Sequence, residues 1–268
     1  MTSFALKTVA CVAMLIDHFG AFALQRISPE LGSILYIYFR AVGRMAFPIF
    51  AYFIALGCKK TKNIKKYMLR LGILAIISEV FFDMVLINGN LLWDGIFAPN
   101  INFFSQTNIF YTLFLSVVAI AIYQYFKQNI GKIAVVLVLP ILLLADILGT
   151  DYGSFGIALI LAIYITNPEN KLHYSLVITL SMLLLYTVGS YVSFNIWLLF
   201  ILFSMLSVVL LYFYNGKQGP NGTLVKWSFY LFYPLHLLAL MLLPLNQTLD
   251  NLCLVFDVEV MFTIINFF

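Results

Sequence analysis

Asp17 and His18 are consecutive in an apolar stretch near the amino end, and Arg40 and Arg44 lie four residues apart in the next one. A carboxylate, an imidazole and two guanidiniums are the groups that proton transfer and oxyanion stabilisation require. Neighbours on a helix point about 100° apart, so Asp17 and His18 cannot serve one partner face to face. The economical division gives the carboxylate to an Arg of the second stretch, which it neutralises and positions, and leaves the imidazole for proton transfer near neutral pH. An Asp–Arg clamp that merely holds two helices together is the architectural alternative.

His236 is the other histidine in an apolar run, within Phe229-Tyr230-Leu231-Phe232-Tyr233-Pro234-Leu235-His236. Pro234 lacks a backbone donor and frees the carbonyl of Tyr230, a device membrane helices use around cavities, so His236 is expected to line the site. Asn108 in Gln106-Thr107-Asn108 and Asp151-Tyr152-Gly153 are polar groups predicted at the depth of Asp17 and Arg44. Each has a plainer reading as a helix cap. Glu79 and Asp83 are spaced i, i+4; Glu79 is expected to bond an Arg, whereas Asp83 lies near enough to a span end to be solvated.

Whatever positions these groups is not a soluble domain. Of the 268 residues, 63% are hydrophobic, 17% aromatic and 10% charged, against roughly 25% charged in an ordinary soluble protein. Eleven acids and fifteen bases cannot cover a water-exposed surface, so the apolar residues face lipid. The cysteines Cys11, Cys58 and Cys253 each sit in an apolar run without partner spacing and read as free thiols.

Runs of ~20 apolar residues, the length that crosses the hydrocarbon, give ten predicted spans. They are Phe4 to Gln25, Leu31 to Gly57, Tyr67 to Ile87, Asn108 to Phe126, Ile133 to Leu148, Tyr152 to Ile165, Tyr174 to Gly189, Ser193 to Tyr214, Trp227 to Leu245 and Leu252 to Phe268. Lys7, the cluster Lys59 to Arg70, Lys127, Lys132, Lys171, Lys217 and Lys226 fall on one side of this arrangement, and Arg26, Asp94, Asp146, Asp151 and Asp250 on the other. The excess of bases in short loops marks the cytoplasmic side, so both termini are predicted inside. The expectation is an all-α, polytopic helix bundle forming one domain over residues 1–268, with no appended soluble catalytic unit. The first stretch carries Asp17 and His18 and no small-residue cleavage site, so it reads as a retained span.

No phosphate-binding G-x-x-x-x-G-K-[ST], H-E-x-x-H, CxxC pair or G-x-S-x-G occurs, so nucleotide hydrolysis, zinc proteolysis and a serine elbow lack their signals. Neither a metal nor a nucleic acid is implied.

The polar positions can be read together: Leu6-Lys7, Asp17-His18, the string Gly43-Arg44-Met45-Ala46-Phe47-Pro48-Ile49-Phe50-Ala51, Gln106-Thr107-Asn108 through Thr112-Leu113, Asp151-Tyr152-Gly153, and Phe229-Tyr230 with Tyr233 to His236. In this order, from Leu6 to about Leu240, the chain resembles the TraX family, whose namesake acetylates the amino terminus of a conjugative pilin. That family looks like a branch of the polytopic membrane acyltransferases. The resemblance implies an acyl-CoA donor, most simply acetyl-CoA, entering from the cytoplasm. It also implies a peptide, pilin-like or small-molecule acceptor at the far face of a bacterial inner membrane. Asp17, His18, Arg44 and His236 match its polar motif positions and become the expected catalytic residues.

Arg40, Asn108, Asp151, Tyr152, Tyr233 and Glu79 are then expected around the acceptor, and Lys59, Lys60 and Lys226 at the phosphates of CoA, where they otherwise serve as topology charges. His18 would take the acceptor's proton, and Arg44, Asn108 or a backbone donor would hold the oxyanion. An acyl-histidine intermediate on His18 or His236 stays open. The competing functions are a proton-coupled transporter or flippase, relaying protons through Asp17, His18, Glu79 and His236, and a purely structural scaffold.

Overall fold

The computed structural model describes residues 1–24, 29–87, 106–166, 169–188 and 193–242. The tenth predicted span, Cys253, Arg26, Asp94 and Asp250 lie outside them. The described residues are helical apart from short turns and the irregular stretch 213–222, with no strand among them. An isolated bridge joins Thr107 to Thr150. Satisfying every backbone group within its own segment is what a lipid environment demands of a spanning chain. The molecule is thus an all-helical membrane protein. Five of its described helical segments are long and apolar enough to cross a bilayer.

Helix α1 runs over Ser3–Phe19, capped by the Thr2 hydroxyl, and continues into a π turn at Gly20–Leu24. The predicted second span divides into α2, Pro29–Gly43, and α3, Ala46–Lys60, with a turn at Arg44 and Met45. The reason is Pro48. It has no N–H to give the carbonyl four residues back, that of Arg44, and its ring crowds that carbonyl, so the helix breaks there and restarts with the proline in its first turn. Helix α4, Ile64–Phe82, is capped by Asn63 and ends in a π turn over Asp83–Ile87.

Asn108 caps α5, Ile109–Ile130. Gly131, with φ of 62°, reverses the chain into a 3-10 segment, Gly131–Val138, followed by α6, Leu139–Ile147. The reversal is proved at the far end: Thr107 N donates to Gly149 O at 3.0 Å and Asp151 N to Thr107 O at 3.0 Å. The 39-residue segment from Ile109 to Ile147 is therefore an antiparallel hairpin rather than one long rod. Helices α7 (Gly153–Ile165), α8 (Lys171–Val188), α9 (Phe194–Tyr212) and α10 (Thr223–Met241) follow, the last containing Pro234.

Helix α3 is the central element. It packs on α1, α7, α5 and α9, and most of its residues from Ala46 to Leu56, together with Cys58, are buried. Helix α1 packs on α2, α3 and α10, and α10 reaches across to α4. Close approach of α1 and α2 depends on small residues: a Cβ added at Gly20 would stand 2.5 Å from the Cβ of Phe39.

Candidate functional site

Asp17 and His18 leave the end of α1 in different directions. Asp17 Oδ1 lies 2.8 Å from Arg40 Nη1, and Asp17 Oδ2 lies 3.4 Å from Arg44 Nη2. One carboxylate thus engages a guanidinium of α2 and one from the break after it. Arg44 also donates from Nε to the Arg40 carbonyl at 3.0 Å and from Nη1 to the Tyr152 hydroxyl at 3.4 Å, and its guanidinium sits 5.4 Å from the Phe200 ring. Asp17 is buried and Arg44 nearly so, with 13% of its side chain exposed against 28% for Arg40.

Tyr152 is held for this contact. Its φ of 63° puts it in the left-handed region, rare for a bulky side chain and a mark of a backbone held by its surroundings. Its ring stacks on Phe47 with centroids 3.8 Å apart, and the Asp151 carbonyl beside it accepts from the Thr112 hydroxyl. Asp151 itself is exposed. The cap of α7 is not Asp151 but Asp146, whose Oδ1 accepts from Ser154 N at 2.7 Å.

His18 turns to α10. Its Nδ1 lies 2.7 Å from Nε2 of His236, the two rings nearly parallel with centroids 4.9 Å apart, and His236 Nδ1 lies 2.8 Å from the Phe232 carbonyl. Both histidines are buried. Tyr233 stands edge-on to both rings, at 5.8 and 5.4 Å between centroids. Two residues 218 positions apart in the chain are thus in direct contact.

Glu79 and Asn108 bind each other instead of joining this group. Glu79 Oε2 accepts from the backbone N–H of Asn108 at 3.0 Å and from its side-chain amide. The amide also donates to Ala75 O at 2.8 Å, while Asn108 Oδ1 accepts from Phe110 N. The expected Glu79–Arg contact is replaced by a cap that fastens α5 to α4. Asp83, expected in solvent, is fully buried, because α4 carries on into the π turn that packs against α10.

Beneath the histidines lies a cavity of about 610 Å³. Its lining includes Lys7, Lys60, Arg70 and Lys226 as well as Phe110 and Tyr233, the tyrosine that touches His18. Lys7 Nζ sits between the rings of Phe53 and Phe229, at 5.1 and 5.7 Å. Lys60 and Lys226, two of the three lysines expected at the phosphates of CoA, both line it. Lys59 is not among the lining residues; its ammonium lies 5.4 Å over the Tyr164 ring. Adjacent helical positions diverge by about 100°, so only one of the two lysines can face the cavity. Lys7 and Arg70 are additions that charge counting assigned to topology. Helical spacing carries the signal for Lys7: eleven residues, close to three full turns, put it on the face of His18 at about 16 Å along α1.

Among the described residues no group of histidines, cysteines or carboxylates could hold a metal ion. Cys11 and Cys58 are buried free thiols.

Fold and site together define an integral membrane protein with ionisable side chains from separate helices gathered inside its bundle. The sequence profile described as TraX protein matches residues 3–244, and the chain belongs to that family. It is 28% identical over 245 residues to a protein of Dichelobacter nodosus named "Probable fimbrial assembly protein FimC, serogroup H1", a match that covers 89% of this chain and 94% of the relative. No solved structure matches.

Proposed function

We propose that this protein is a membrane acyltransferase that moves an acyl group, most simply acetyl, from acyl-CoA to an amine or hydroxyl. The carrying observation is the continuity between a base-lined cavity and a buried histidine: Lys7, Lys60, Arg70 and Lys226 share one cavity with Tyr233, which stands against His18. A ligand that is polyanionic at one end and neutral along an extended arm fits this layout, because ammonium and guanidinium groups hold phosphates while the aromatic wall desolvates the arm. Acyl-CoA has that form. The separation of about 16 Å between Lys7 and His18 along α1 supports a donor held by its phosphates at one end and reaching the imidazole at the other.

In the reaction His18 accepts the proton of the attacking amine or hydroxyl. The bond from nitrogen or oxygen to the carbonyl carbon forms and the carbon–sulfur bond breaks. The CoA thiolate then leaves and takes the proton from the imidazolium. Arg44, fixed by Asp17, Tyr152 and the Arg40 carbonyl, stabilises the tetrahedral oxyanion; loss of such a donor typically costs ~2.7 to 4 kcal/mol of barrier. Asn108, whose amide and carbonyl groups already have protein partners, drops out as an oxyanion donor.

The acceptor in this reading is a peptide amino terminus, such as that of a pilin, presented from the extracytoplasmic side of a bacterial inner membrane. The naming of a relative as a fimbrial assembly protein supports that choice. So does the gathering of the lysines at the end of the bundle opposite Asp17 and Arg44, because base-rich loops lie inside the cell.

The test uses the purified protein in lipid nanodiscs with labelled acetyl-CoA and a synthetic pilin amino-terminal peptide. Label should move to the peptide with release of free CoA, and His18→Ala should abolish the transfer while the variant still folds. No CoA consumption with any amine or hydroxyl acceptor, together with proton-driven solute uptake in sealed vesicles, would replace this reading by the transporter.

A further inference from the structure

The two histidines make a chain whose proton positions follow from one atom. The Phe232 carbonyl is only an acceptor, so the Nδ1 of His236 that lies 2.8 Å from it carries a hydrogen. A neutral imidazole has one N–H, so His236 Nε2 holds a lone pair and can only accept. The ring atom 2.7 Å away, His18 Nδ1, must then be the donor. That leaves the basic lone pair of His18 on Nε2, the nitrogen not used in the pair. Both nitrogens of His236 are thereby committed, so it is neither the base nor an acyl carrier.

We propose that His236 is a positioning residue that holds His18 in the Nδ1–H tautomer, so that Nε2 is the atom that receives the acceptor's proton. The proposal rests on the acyl-transfer reading for its kinetic consequence, though not for its structural one. An isolated imidazole favours neither orientation strongly, and a base presenting N–H where a lone pair is needed is inactive until it exchanges. The backbone carbonyl of α10 thus does for this pair what a buried carboxylate does elsewhere, without adding a charge. Nearly parallel rings also fix the imidazole plane of His18, while Tyr233 closes its side.

The experiment compares His236→Gln with His236→Leu. The glutamine amide oxygen reaches the position of Nε2 and still accepts from His18 Nδ1, whereas leucine fills the space and accepts nothing. With labelled acetyl-CoA, His236→Leu should lower kcat about 10⁴-fold with little change in the donor KM, in line with the effect of a wrong tautomer in a catalytic triad. His236→Gln should recover all but about tenfold of that loss. Glutamine as inactive as leucine would overturn the proposal, since His236 would then react itself.

A second readout needs no turnover. Nitrogen-15 spectra of histidine-labelled, substrate-free protein in nanodiscs should give His18 a protonated Nδ1 and an unprotonated Nε2, and His236→Leu should lose this preference. A protonated Nε2 on neutral wild-type His18 would overturn the assignment whether or not the protein transfers acyl groups. Absence of transfer in the wild type with this tautomer in place would defeat the acyl-transfer reading instead.

Discussion

The side chain that Gly43 lacks would collide with Asp17: its Cβ would stand 2.4 Å from the Asp17 Cβ and 2.3 Å from the carboxyl carbon. Gly43 is therefore the space in which Asp17 meets Arg40 and Arg44. Gly43→Ala should push the carboxylate off both guanidiniums, lower the midpoint of thermal unfolding, and cost about 1 to 3 kcal/mol, the usual range for overpacking. Acyl transfer should fall with it, and a wild-type rate in the alanine variant would refute the role given to this contact.

Removing Asp17 strands two cations. Breaking a buried pair by deleting one partner costs about 3 to 5 kcal/mol, so Asp17→Ala should be the most destabilising single change in the site. Arg40→Leu should cost less, because more of its side chain remains solvated. Reversible unfolding in mixed detergent micelles measures both, and the two values should not sum in the double variant, since the residues share one interaction.

Asn108→Ala should destabilise the protein by about 1 to 3 kcal/mol by removing a donor from the buried Glu79 carboxylate and the cap of α5 together. The double change with Glu79→Gln should recover part of that loss, because the carboxylate charge goes too. Chemical unfolding of the single and double variants decides this, and equal stability of the single variant would show the cap to be dispensable.

Charge reversal around the cavity should act on donor binding. Lys7→Glu, Arg70→Glu and Lys226→Glu should each raise the KM for acyl-CoA about tenfold or more, the loss of a charge-assisted phosphate contact, with kcat less affected. Lys59→Glu, one residue from Lys60 but outside the lining, should leave KM within about twofold, as expected of a surface charge. Steady-state kinetics at two salt concentrations separate these cases.

Much of this site is legible in the sequence, and the unread parts have definite causes. Helical geometry alone separates the tasks of Asp17 and His18, and charge accounting alone leads from Asp17 to Arg40 and Arg44. The break at Arg44 is also written locally, in Pro48 four residues on, yet a hydropathy window runs across it because proline is tolerated in apolar runs. The hairpin between α5 and α6, by contrast, is legible locally: Lys127, Gln128, Asn129, Gly131 and Lys132 interrupt the apolar run and separate the two predicted spans. The contact of His18 with His236 spans 218 positions and is set by how α10 packs against α1, which no local pattern encodes. Charge alone misreads Asp83, since its burial depends on α10 lying over the π turn.

One carboxylate shared between two guanidiniums has a last consequence. Among their own side chains, Asp17, Arg40 and Arg44 carry two positive charges against one negative. In the proposed reaction both reactants arrive uncharged at the reacting atoms, and the fleeting tetrahedral adduct is the species that brings the missing negative charge. Electroneutrality is then reached only at the top of the barrier, so the pocket rewards the passage between substrates and products more than it rewards either.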